Sequence, residues 1–536
     1  MPKLLKFDCG CEFIVENNSI NFSTRLENLN LNCEKTWQLI SEGNTKGCFQ
    51  LESRLGQMMA KKLKPENIEQ LSALIAIIRP GCLEAIRSNK SVTNHYIDRK
   101  NGMESIDYFH GSLEPALKTT YGEMIYQEQA MQIAKDIAGF DLKEADMLRK
   151  AIGKKKPEEM AKIKNRFISG CEQMGIVTAD QSEEIFGWIE KSQRYSFNKS
   201  HSISYAINGY FSAYAKAHFP KVFFASYLKF AKDKIDPRQE IKELVKNANE
   251  MDINVKIPDL RLMNEMFTIE KDEIIFGLTD IKGVGGSVFN KLKQITESMN
   301  LYEMSWSDIL LNILCKINST ASKAIISSGA LDFLKKNRTE MLFDFDIVNQ
   351  LTSKELEHIH NLNLENNKIG ILSLMRLLLD SGKITKKRIP QISGLIESLI
   401  HPPYSLTDKI EWLSDSEDSL LGTSITCSKL DTYDISMTNT NCRQLKNSDL
   451  YKNIIIAGEI TNINVIKTKK GKNPGLDMAF VSIEDQSGSV DSIILFPEQY
   501  QKYKHQLFNT NILIFIGNKT KTGDGLVVEK CFIPSA

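Results

Sequence analysis

The stretch Phe197–Ala206, FNKSHSISYA, decides how the middle of the chain folds, because it stands where a long aromatic-rich helix begins. Serine and asparagine are ordinary N-cap residues, so one interpretation is simply the start of a helix from about Ser202 to Phe219. Capping needs only one such residue, however. Lys199 and His201, placed where backbone N–H groups are unsatisfied and the helix dipole is positive, also suit an anion such as phosphate. Both interpretations are open on this stretch alone.

The length and charge of the chain narrow its class. At 536 residues it exceeds a single hydrophobic core and predicts several domains. With 68 Lys+Arg against 67 Asp+Glu, any affinity for nucleic acid has to come from local basic patches. No apolar run approaches the roughly 18 residues that a membrane span needs, and the N-terminus does not resemble a signal peptide. We therefore expect a cytoplasmic protein with no membrane partner.

The ten cysteines are scattered, which is typical of reduced thiols in a cytosolic protein. Only Cys9 and Cys11 lie close together in the sequence. They could join Cys33 and Cys48 in a zinc site, but this spacing matches no standard ligand pattern. The sequence favours free thiols and leaves metal binding by Cys9 and Cys11 open.

The pattern of apolar and turn residues predicts a multidomain α+β protein. Helical stretches begin at proline or acidic residues and end at glycine, whereas the C-terminal region shows five strands with a helix between the third and fourth, the order of an OB-fold barrel. The predicted segments are a short strand-containing start (1–50), a mostly helical domain (51–250), a strand-containing segment with a Gly-rich hairpin (251–345), a helical segment (346–427), a linker (428–450) and the barrel (451–536).

One helical window is strongly basic. Arg149–Arg166 holds eight Lys/Arg and two acidic residues, and the ordinary interpretation of such a run is a solvated charged face. If the fold brings Arg149 and Lys150 near Lys199 and His201, the four would form a two-sided cradle suited to a triphosphate.

Six motifs in a fixed order carry a family resemblance. They are KGCFQLES, ALIAIIRPG, YGEMIYQEQAMQIA, ADMLRKAIGKKKPEEM, FNKSHSISYA and AHFP. Together they resemble the fingers region of the bacterial replicative DNA polymerase III alpha subunit, a C-family DNA polymerase. The resemblance continues through GLTDIKGVGGSVFNKL, IISSGALD and the C-terminal β segment, so residues 51–250 would be the fingers domain. It implies that Arg149, Lys150, Lys199 and His201 line the incoming-nucleotide site.

The sequence departs from the family pattern at two places within these motifs. The family usually has Arg-Arg where this chain has Arg149 and Lys150, and proline where it has Cys82. A lysine keeps the charge but loses the bidentate fork of arginine, which leaves the phosphate geometry less defined.

The resemblance also implies polymerisation with two Mg²⁺ ions held by aspartates. The family's Pro-x-x-Asp-x-Asp-Phe pair and its N-terminal phosphoesterase-like domain do not occur in this sequence. Asp344 and Asp346 lie in a segment with a helical pattern, where positions i and i+2 point to different faces, so we do not assign them to the metals. Asp8, with Lys6 beside it in LLKFDCGC, resembles the third family aspartate and is the predicted catalytic metal ligand; the alternative is a surface aspartate at the end of a strand.

These expectations combine into a split enzyme. Residues 1–50 would be a palm remnant, and a separate polypeptide would supply the aspartate pair and the phosphoesterase-like domain. The chain would then be the C-terminal part of a divided polymerase, encoded by a bacterium or a phage, that acts on primer-template DNA and dNTPs in a bacterial or phage-infected bacterial cell. The alternative is a non-catalytic paralogue that binds primer-template or single-stranded DNA, which would tolerate Asp8→Asn.

Two modules are predicted to hold DNA. IKGVGGSVFNKL has the form of a helix-hairpin-helix, in which Gly283 and Gly285, with Lys282 nearby, let backbone amides approach a duplex phosphate. In the C-terminal barrel, a basic loop suits single-stranded template. Its lysines are Lys467, Lys469, Lys470 and Lys472.

Phe480 and Phe496, on strands beside this loop, could stack on bases, but the interpretation favoured for each is a place in the core. A sliding-clamp peptide is also expected from the resemblance, and no segment of the sequence can be assigned to it.

Overall fold

The computed structural model describes residues 3–16, 19–23, 25–154, 157–192, 195–365, 369–447, 451–468, 474–520 and 525–535. Its internal contacts divide the chain into two compact units, Met1–Pro220 and Lys221–Ala536. In the described residues, no helix is both long and apolar enough to span a bilayer.

The first unit is mainly helical. Its strands are β1 (Lys3–Lys6), β2 (Glu12–Glu16), β3 (Ser19–Asn21), β4 (Ile86–Arg87) and β5 (Lys90–Ser91). Its α-helices are α1 (Glu34–Ser41), α2 (Arg54–Leu63), α3 (Ile68–Ile77), α4 (Pro80–Glu84), α5 (Val92–Lys100), α6 (Glu114–Leu117), α7 (Gln127–Ala138), α8 (Leu142–Lys154), α9 (Pro157–Met174), α10 (Ala179–Ser192) and α11 (Lys199–His218). Short 3-10 helices cover Leu26–Asn28, Gly111–Leu113 and Lys118–Thr120.

Helix α11 is the central element of this unit, and it begins at Lys199, three residues before the position that the sequence predicted. Small residues on its buried face allow close packing, and α3 lies along it with every residue from Gln70 to Ile77 buried. At Gly209 a Cβ atom would lie 2.9 Å from the carbonyl oxygen of Phe49, so only glycine lets this loop approach the helix. A separate core around Phe167 and Phe186 joins α7, α9 and α10.

The N-terminal strands form a small antiparallel sheet in the order β1-β2-β3. Leu4 and Ile14 are about half exposed on it, whereas Phe13 is buried against the ring of Phe219. The sheet therefore has one face packed and one face in solvent, and its own strands contribute little core.

The second unit contains helices, a small sheet and a barrel. Its strands are β6 (Val255–Lys256), β7 (Thr268–Glu270), β8 (Glu273–Ile275), β9 (Ile454–Lys467), β10 (Asp477–Asp485), β11 (Gly488–Leu495), β12 (Ile512–Lys519) and β13 (Leu526–Phe532). Its α-helices are α12 (Pro220–Ala231), α13 (Pro237–Glu250), α14 (Gly286–Thr296), α15 (Trp306–Asn312), α16 (Ser319–Ser327), α17 (Arg338–Val348), α18 (Ser353–Glu365), α19 (Ile371–Asp380), α20 (Ile389–Ile400), α21 (Ile410–Leu421), α22 (Cys442–Asn447) and α23 (Pro497–Asn509). Its 3-10 helices are Leu260–Leu262, Leu278–Asp280, Leu314–Lys316, Asp332–Leu334 and Lys429–Thr432.

The C-terminal strands close into a barrel in the order β10-β11-β13-β12-β9, with α23 between β11 and β12. This is the predicted OB-fold arrangement, and the α+β prediction for the chain is confirmed with it. At Gly517 a Cβ atom would lie 2.0 Å from the carbonyl oxygen of Val527, so glycine is required where the register of β12 against β13 shifts.

The segment predicted as a linker, 428–450, contains a 3-10 helix and α22 among its described residues. Leu430, Cys442 and Leu445 are buried, and the Cys442 backbone N–H donates to Asp485 of β10 at 2.7 Å. The segment is mostly polar, so the sequence analysis gave no weight to these three apolar residues. In the structure they pack its helices against the barrel.

Candidate nucleotide and DNA interface

The N-terminus of α11 carries the predicted phosphate-binding residues. Asn198 is the N-cap, and its side-chain oxygen accepts from the His201 backbone N–H at 2.8 Å. Glu128 of α7 accepts from the Lys199 backbone N–H at 2.9 Å and from the Asn198 side-chain amide at 2.8 Å. The backbone N–H groups of Lys199 and His201 therefore already have partners within the chain.

The side chains at this helix start form a cationic and aromatic group. Lys199 Nζ lies 3.4 Å from a carboxylate oxygen of Glu69 and 5.7 Å from the ring centre of Tyr126. The exposed His201 ring lies 4.1 Å from that of Tyr205. A positive charge, an imidazole and two phenol rings thus lie together, three of them on the first turns of α11 and Tyr126 at the N-cap of α7.

Arg79 is a further candidate that the sequence analysis missed. Its guanidinium lies over the ring of Phe197 at 3.9 Å, and that ring lies 5.4 Å from the His201 ring. Arg79 belongs to the motif ALIAIIRPG, about 120 residues before His201 in the sequence, so only the fold brings the two together. The sequence did offer one indication of Arg79, because the motif places an arginine directly before a proline, where a helix ends. In the structure this arginine is exposed.

Four of the six motifs pack together along α11, and a fifth, AHFP, forms its C-terminal end. The backbone of Phe197 bonds to Ile125 and Gln127, which joins FNKSHSISYA to YGEMIYQEQAMQIA. The Ser202 hydroxyl donates at 2.6 Å to the carbonyl of Ser72, the residue directly before ALIAIIRPG, and Arg79 of that motif lies over the Phe197 ring. The Phe49 backbone N–H of KGCFQLES donates to a serine hydroxyl further along α11. The order of the motifs in the chain therefore corresponds to one packed structure.

Arg149 and Lys150 lie on α8, and both are paired with one carboxylate. Asp146 accepts from the Arg149 guanidinium at 2.7 Å, and Lys150 Nζ lies 2.7 Å from its other oxygen. These hydrogen bonds, that from Lys150 first, lower the pKa of Asp146. Arg166, at the end of the basic window, pairs with Glu144. Three of the eight basic residues of the window, Arg149, Lys150 and Arg166, are therefore paired with carboxylates on α8.

The structure groups the predicted nucleotide residues into two pairs. Lys199 and His201 share the start of α11, and Arg149 and Lys150 share α8. Within the described residues, no hydrogen bond, ion pair or ring contact joins one pair to the other. A common triphosphate ligand stays a prediction.

Asp8 lies exposed in the turn between β1 and β2, and Lys6 pairs with Glu12 across the same hairpin. Asp344 and Asp346 are both on α17, as the helical pattern predicted. Asp344 is buried and accepts from the Trp306 indole at 2.8 Å, whereas Asp346 is exposed and pairs with Lys323. The two carboxylates have separate structural partners and do not form a metal pair.

The helix-hairpin-helix turn presents an open backbone. Gly283 has φ +98°, which disfavours any other residue, and Gly285 is the N-cap of α14. A Cβ atom at Gly285 would meet nothing within 4 Å, and Lys282 beside it is exposed. Ile281 and Val284 are buried and hold the turn in place. The turn therefore leaves space for a phosphate at its glycines.

The barrel contributes one described lysine of the predicted loop. Lys467 is exposed at the end of β9, while Lys469, Lys470 and Lys472 lie outside the described residues. The core interpretation is wrong for Phe496, which is 46 % exposed at the start of α23. Phe480 on β10 is half-buried.

Two family models match this chain, one over most of the first unit and one over the segment with the glycine turn. A model described as the bacterial DNA polymerase III alpha subunit finger domain matches residues 7–175, and one described as a helix-hairpin-helix motif matches residues 252–341. The chain belongs to the DNA polymerase III alpha subunit family.

Curated relatives extend this match over nearly the whole chain. The DNA polymerase III subunit alpha of Aquifex aeolicus is 31 % identical over 530 residues, which is 98 % of this chain and 41 % of the relative. That of Borreliella burgdorferi is 31 % identical over 518 residues, 96 % of this chain and 42 % of the relative. The chain thus spans about two fifths of the length of these alpha subunits.

Proposed function

We propose that this chain is the fingers and DNA-binding part of a template-directed DNA polymerase that adds dNTPs to a primer 3′ end during replication. Its alpha-subunit relatives are named as DNA polymerases, which supports this class of activity. The observation that carries the proposal is the convergence of four family motifs on α11, which leaves Lys199, His201 and Arg79 around one helix start.

Each module would have a separate role in this function. The cations at the start of α11 and on α8 would bind the phosphates of the incoming nucleotide. The glycine turn at Gly283 and Gly285 would contact the duplex phosphate backbone without reading its sequence, and the basic barrel loop would bind single-stranded template. The cytoplasm of a bacterial or phage-infected bacterial cell is the proposed location.

The two Mg²⁺ ions of the polymerase reaction do not fit the described residues alone. Mg²⁺ prefers an octahedral shell of oxygen ligands, and exposed Asp8 offers one carboxylate on a hairpin turn. We therefore assign no catalytic step within this chain. In the proposed complex, a separate polypeptide provides the aspartate pair and a phosphoesterase-like domain, Asp8 completes the ligand set, and a sliding clamp is a further partner.

Primer extension tests the proposal directly. Tagged chain would be recovered from its native cells with its co-purifying proteins and compared with the recombinant chain alone, using primer-template, Mg²⁺ and all four dNTPs. We expect extension by the native complex only, and mass spectrometry of that complex would identify the aspartate-bearing partner. If neither sample extends the primer although both bind it, the DNA-binding paralogue replaces the polymerase.

Variants separate nucleotide binding from DNA binding. Lys199→Ala and His201→Ala should each raise KM for dNTPs by about tenfold or more, because each removes a phosphate-facing donor worth about 1.5–3 kcal/mol when charged. Binding of primer-template should not change. Lys118→Ala is the matched control, since Lys118 is an exposed lysine of the same unit. A KM that is unchanged in both variants would contradict the assigned nucleotide site.

A further inference from the structure

Four metal-binding side chains meet in the first unit, away from the residues assigned to nucleotide. Their ligand atoms, three thiol sulfurs and one imidazole nitrogen, all lie within 4.8 Å of one another. The His218 Nε2 atom is 3.3 Å from the Cys9 sulfur and 3.7 Å from the Cys33 sulfur. A tetrahedral zinc with bonds of about 2.0–2.3 Å places neighbouring ligand atoms about 3.5–3.8 Å apart. The fourth ligand is Cys11.

The histidine is oriented for metal binding by its other ring nitrogen. His218 Nδ1 lies 2.9 Å from the carbonyl oxygen of Tyr214, and a carbonyl oxygen can only accept, so Nδ1 carries the proton. In the neutral ring, Nε2 then presents its lone pair to the thiols. This arrangement, in which one nitrogen donates to a backbone carbonyl and the other faces the metal, is the usual second-shell pattern of metal-binding histidines.

The cysteines come from two further elements, so the cluster joins three parts of the chain. Cys9 and Cys11 flank Gly10, which has φ +78°, at the tip of the β1-β2 hairpin. Backbone bonds from Phe7 to Cys11 and from Gly10 to Phe7 hold this tip in a tight loop. Cys33 is the N-cap of α1, and His218 is the last residue of α11.

The surroundings of the cluster resemble those of a structural site. Cys33 is fully buried, Cys11 is 3 % exposed and His218 is 5 % exposed. The side-chain amide of Asn30 donates to the Cys11 sulfur at 3.5 Å, and the ring of Phe7 lies 4.9 Å from that of His218. Four protein ligands leave no open position for substrate, as expected of a site that stabilises structure.

We propose that Cys9, Cys11, Cys33 and His218 form a structural Zn²⁺ site of the Cys₃His type. Thiolate and imidazole ligands in a tetrahedral arrangement favour zinc over magnesium or calcium, which prefer oxygen. One ion, rather than an iron–sulfur cluster, fits ligand atoms this close together. Binding releases the protons of the three thiols to solvent, since the metal takes thiolates and a neutral imidazole.

The site would fasten the N-terminal sheet to α1 and α11. That sheet has short strands and exposed apolar residues, so its own core is small. Because the four ligands are brought together only in the folded chain, Zn²⁺ binding would stabilise the fold that holds residues 9 and 218 side by side. This inference does not depend on the proposed polymerase function, because metal content is measured without any assay of activity.

Metal analysis of the full chain tests the site. The recombinant chain, expressed with zinc supplementation and purified under reducing conditions, should contain about one Zn²⁺ per chain by atomic emission. Replacement with Co²⁺ should give the intense visible d–d bands and the sulfur-to-cobalt charge-transfer band of tetrahedral thiolate coordination. A chain that holds far less than one zinc and gives no such cobalt spectrum would overturn the proposal.

Two serine variants assign the ligands. Cys33→Ser should weaken Zn²⁺ binding by more than about 100-fold, the upper range for losing even a second-shell partner, while the fold is kept because serine is itself a favourable N-cap for α1. Cys48→Ser is the matched control, since Cys48 is equally buried but lies outside the cluster. If Cys33→Ser retains zinc, or if Cys48→Ser loses it, the assignment is wrong. Should Cys33→Ser fail to fold by circular dichroism, the cobalt spectrum of the unmodified chain decides.

Discussion

Single residues hold the loops of the first unit onto α11. Lys216 is fully buried, and its ammonium group donates to the backbone carbonyls of Asn44 and Lys46 at 2.8 Å each. A buried charge is costly unless its hydrogen bonds are satisfied, so this lysine is retained for a specific contact. That contact fastens the loop that leads into KGCFQLES to α11, the helix that carries the proposed nucleotide residues Lys199 and His201.

Lys216→Met should lower the free energy of unfolding by about 2–4 kcal/mol, because it keeps the length of the side chain but leaves the carbonyl groups of Asn44 and Lys46 without this donor. Urea denaturation followed by circular dichroism measures the change. Lys118→Met, at an exposed position, should stay within about 0.5 kcal/mol of the unmodified chain. Equal stability of both variants would show that the buried ammonium group is not required.

At the scale of elements, the two glycines of the turn before α14 have different requirements: Gly283 is needed for the backbone conformation, and Gly285 is proposed to contact DNA. Gly283 needs its positive φ, whereas Gly285 has an ordinary φ of −87° and free space around it. Only the second position can therefore accept a methyl group without strain. This difference allows a test of phosphate contact that does not disturb the fold.

Gly285→Ala should leave the thermal midpoint nearly unchanged but weaken duplex binding by about fivefold, the equivalent of one hydrogen bond of about 1 kcal/mol, because the new methyl group obstructs approach of a phosphate to the backbone. Fluorescence anisotropy with a labelled duplex measures this. Gly394→Ala, in α20 of the same unit and also with open space, should bind as the unmodified chain does. Unchanged duplex affinity of Gly285→Ala would exclude this turn from the DNA interface.

At the scale of the whole molecule, polar networks make the stability of the first unit dependent on pH. Glu104 lies within hydrogen-bond distance of Lys90, His95 and Arg99, at 2.9, 2.7 and 2.8 Å. Burial disfavours the charged carboxylate, but the hydrogen bonds from these three residues outweigh it and lower the pKa of Glu104 to about 2. The network links the β4-β5 hairpin and α5 to the loop that follows.

A carboxyl group with a lowered pKa stabilises the folded state above its unfolded pKa of about 4.3, and this contribution is lost as the pH falls towards about 2. We therefore expect Glu104→Gln to flatten the pH dependence of unfolding free energy between about pH 5 and pH 2. Glu114→Gln, at an exposed position, should keep the slope of the unmodified chain. Identical slopes for all three proteins would contradict the role of Glu104.

Local pattern predicted the elements well, because caps, glycine ends and strand alternation act over a few residues. The OB-fold order and the helical placement of Asp344 and Asp346 followed from such patterns. Contacts between residues that are far apart in the sequence could not be predicted from it. The Cys9 and Cys11 pair was recognised, but its proposed partner Cys48 lies elsewhere, and His218 takes that place from the far end of another helix.

The same limit applies to charge. The sequence shows that Arg149 and Lys150 are basic, but not that Asp146 neutralises both from one turn earlier on the same helix face. It also could not show that Glu128 accepts from the Lys199 backbone N–H at the start of α11. Both facts depend on side-chain direction, which composition does not record.

Helix α11 carries Lys199 and His201 at one end and His218 at the other. Its 20 residues therefore fix the distance between these ends at about 30 Å and also fix their relative rotation. One residue inserted between the ends would turn everything beyond it by about 100°, and would carry the imidazole away from the three sulfurs while the first turn stayed in place. Loops can absorb a change of length, but this helix cannot. Insertions and deletions in natural variants of the chain should therefore be absent from residues 199–218 and accumulate in the connections on either side.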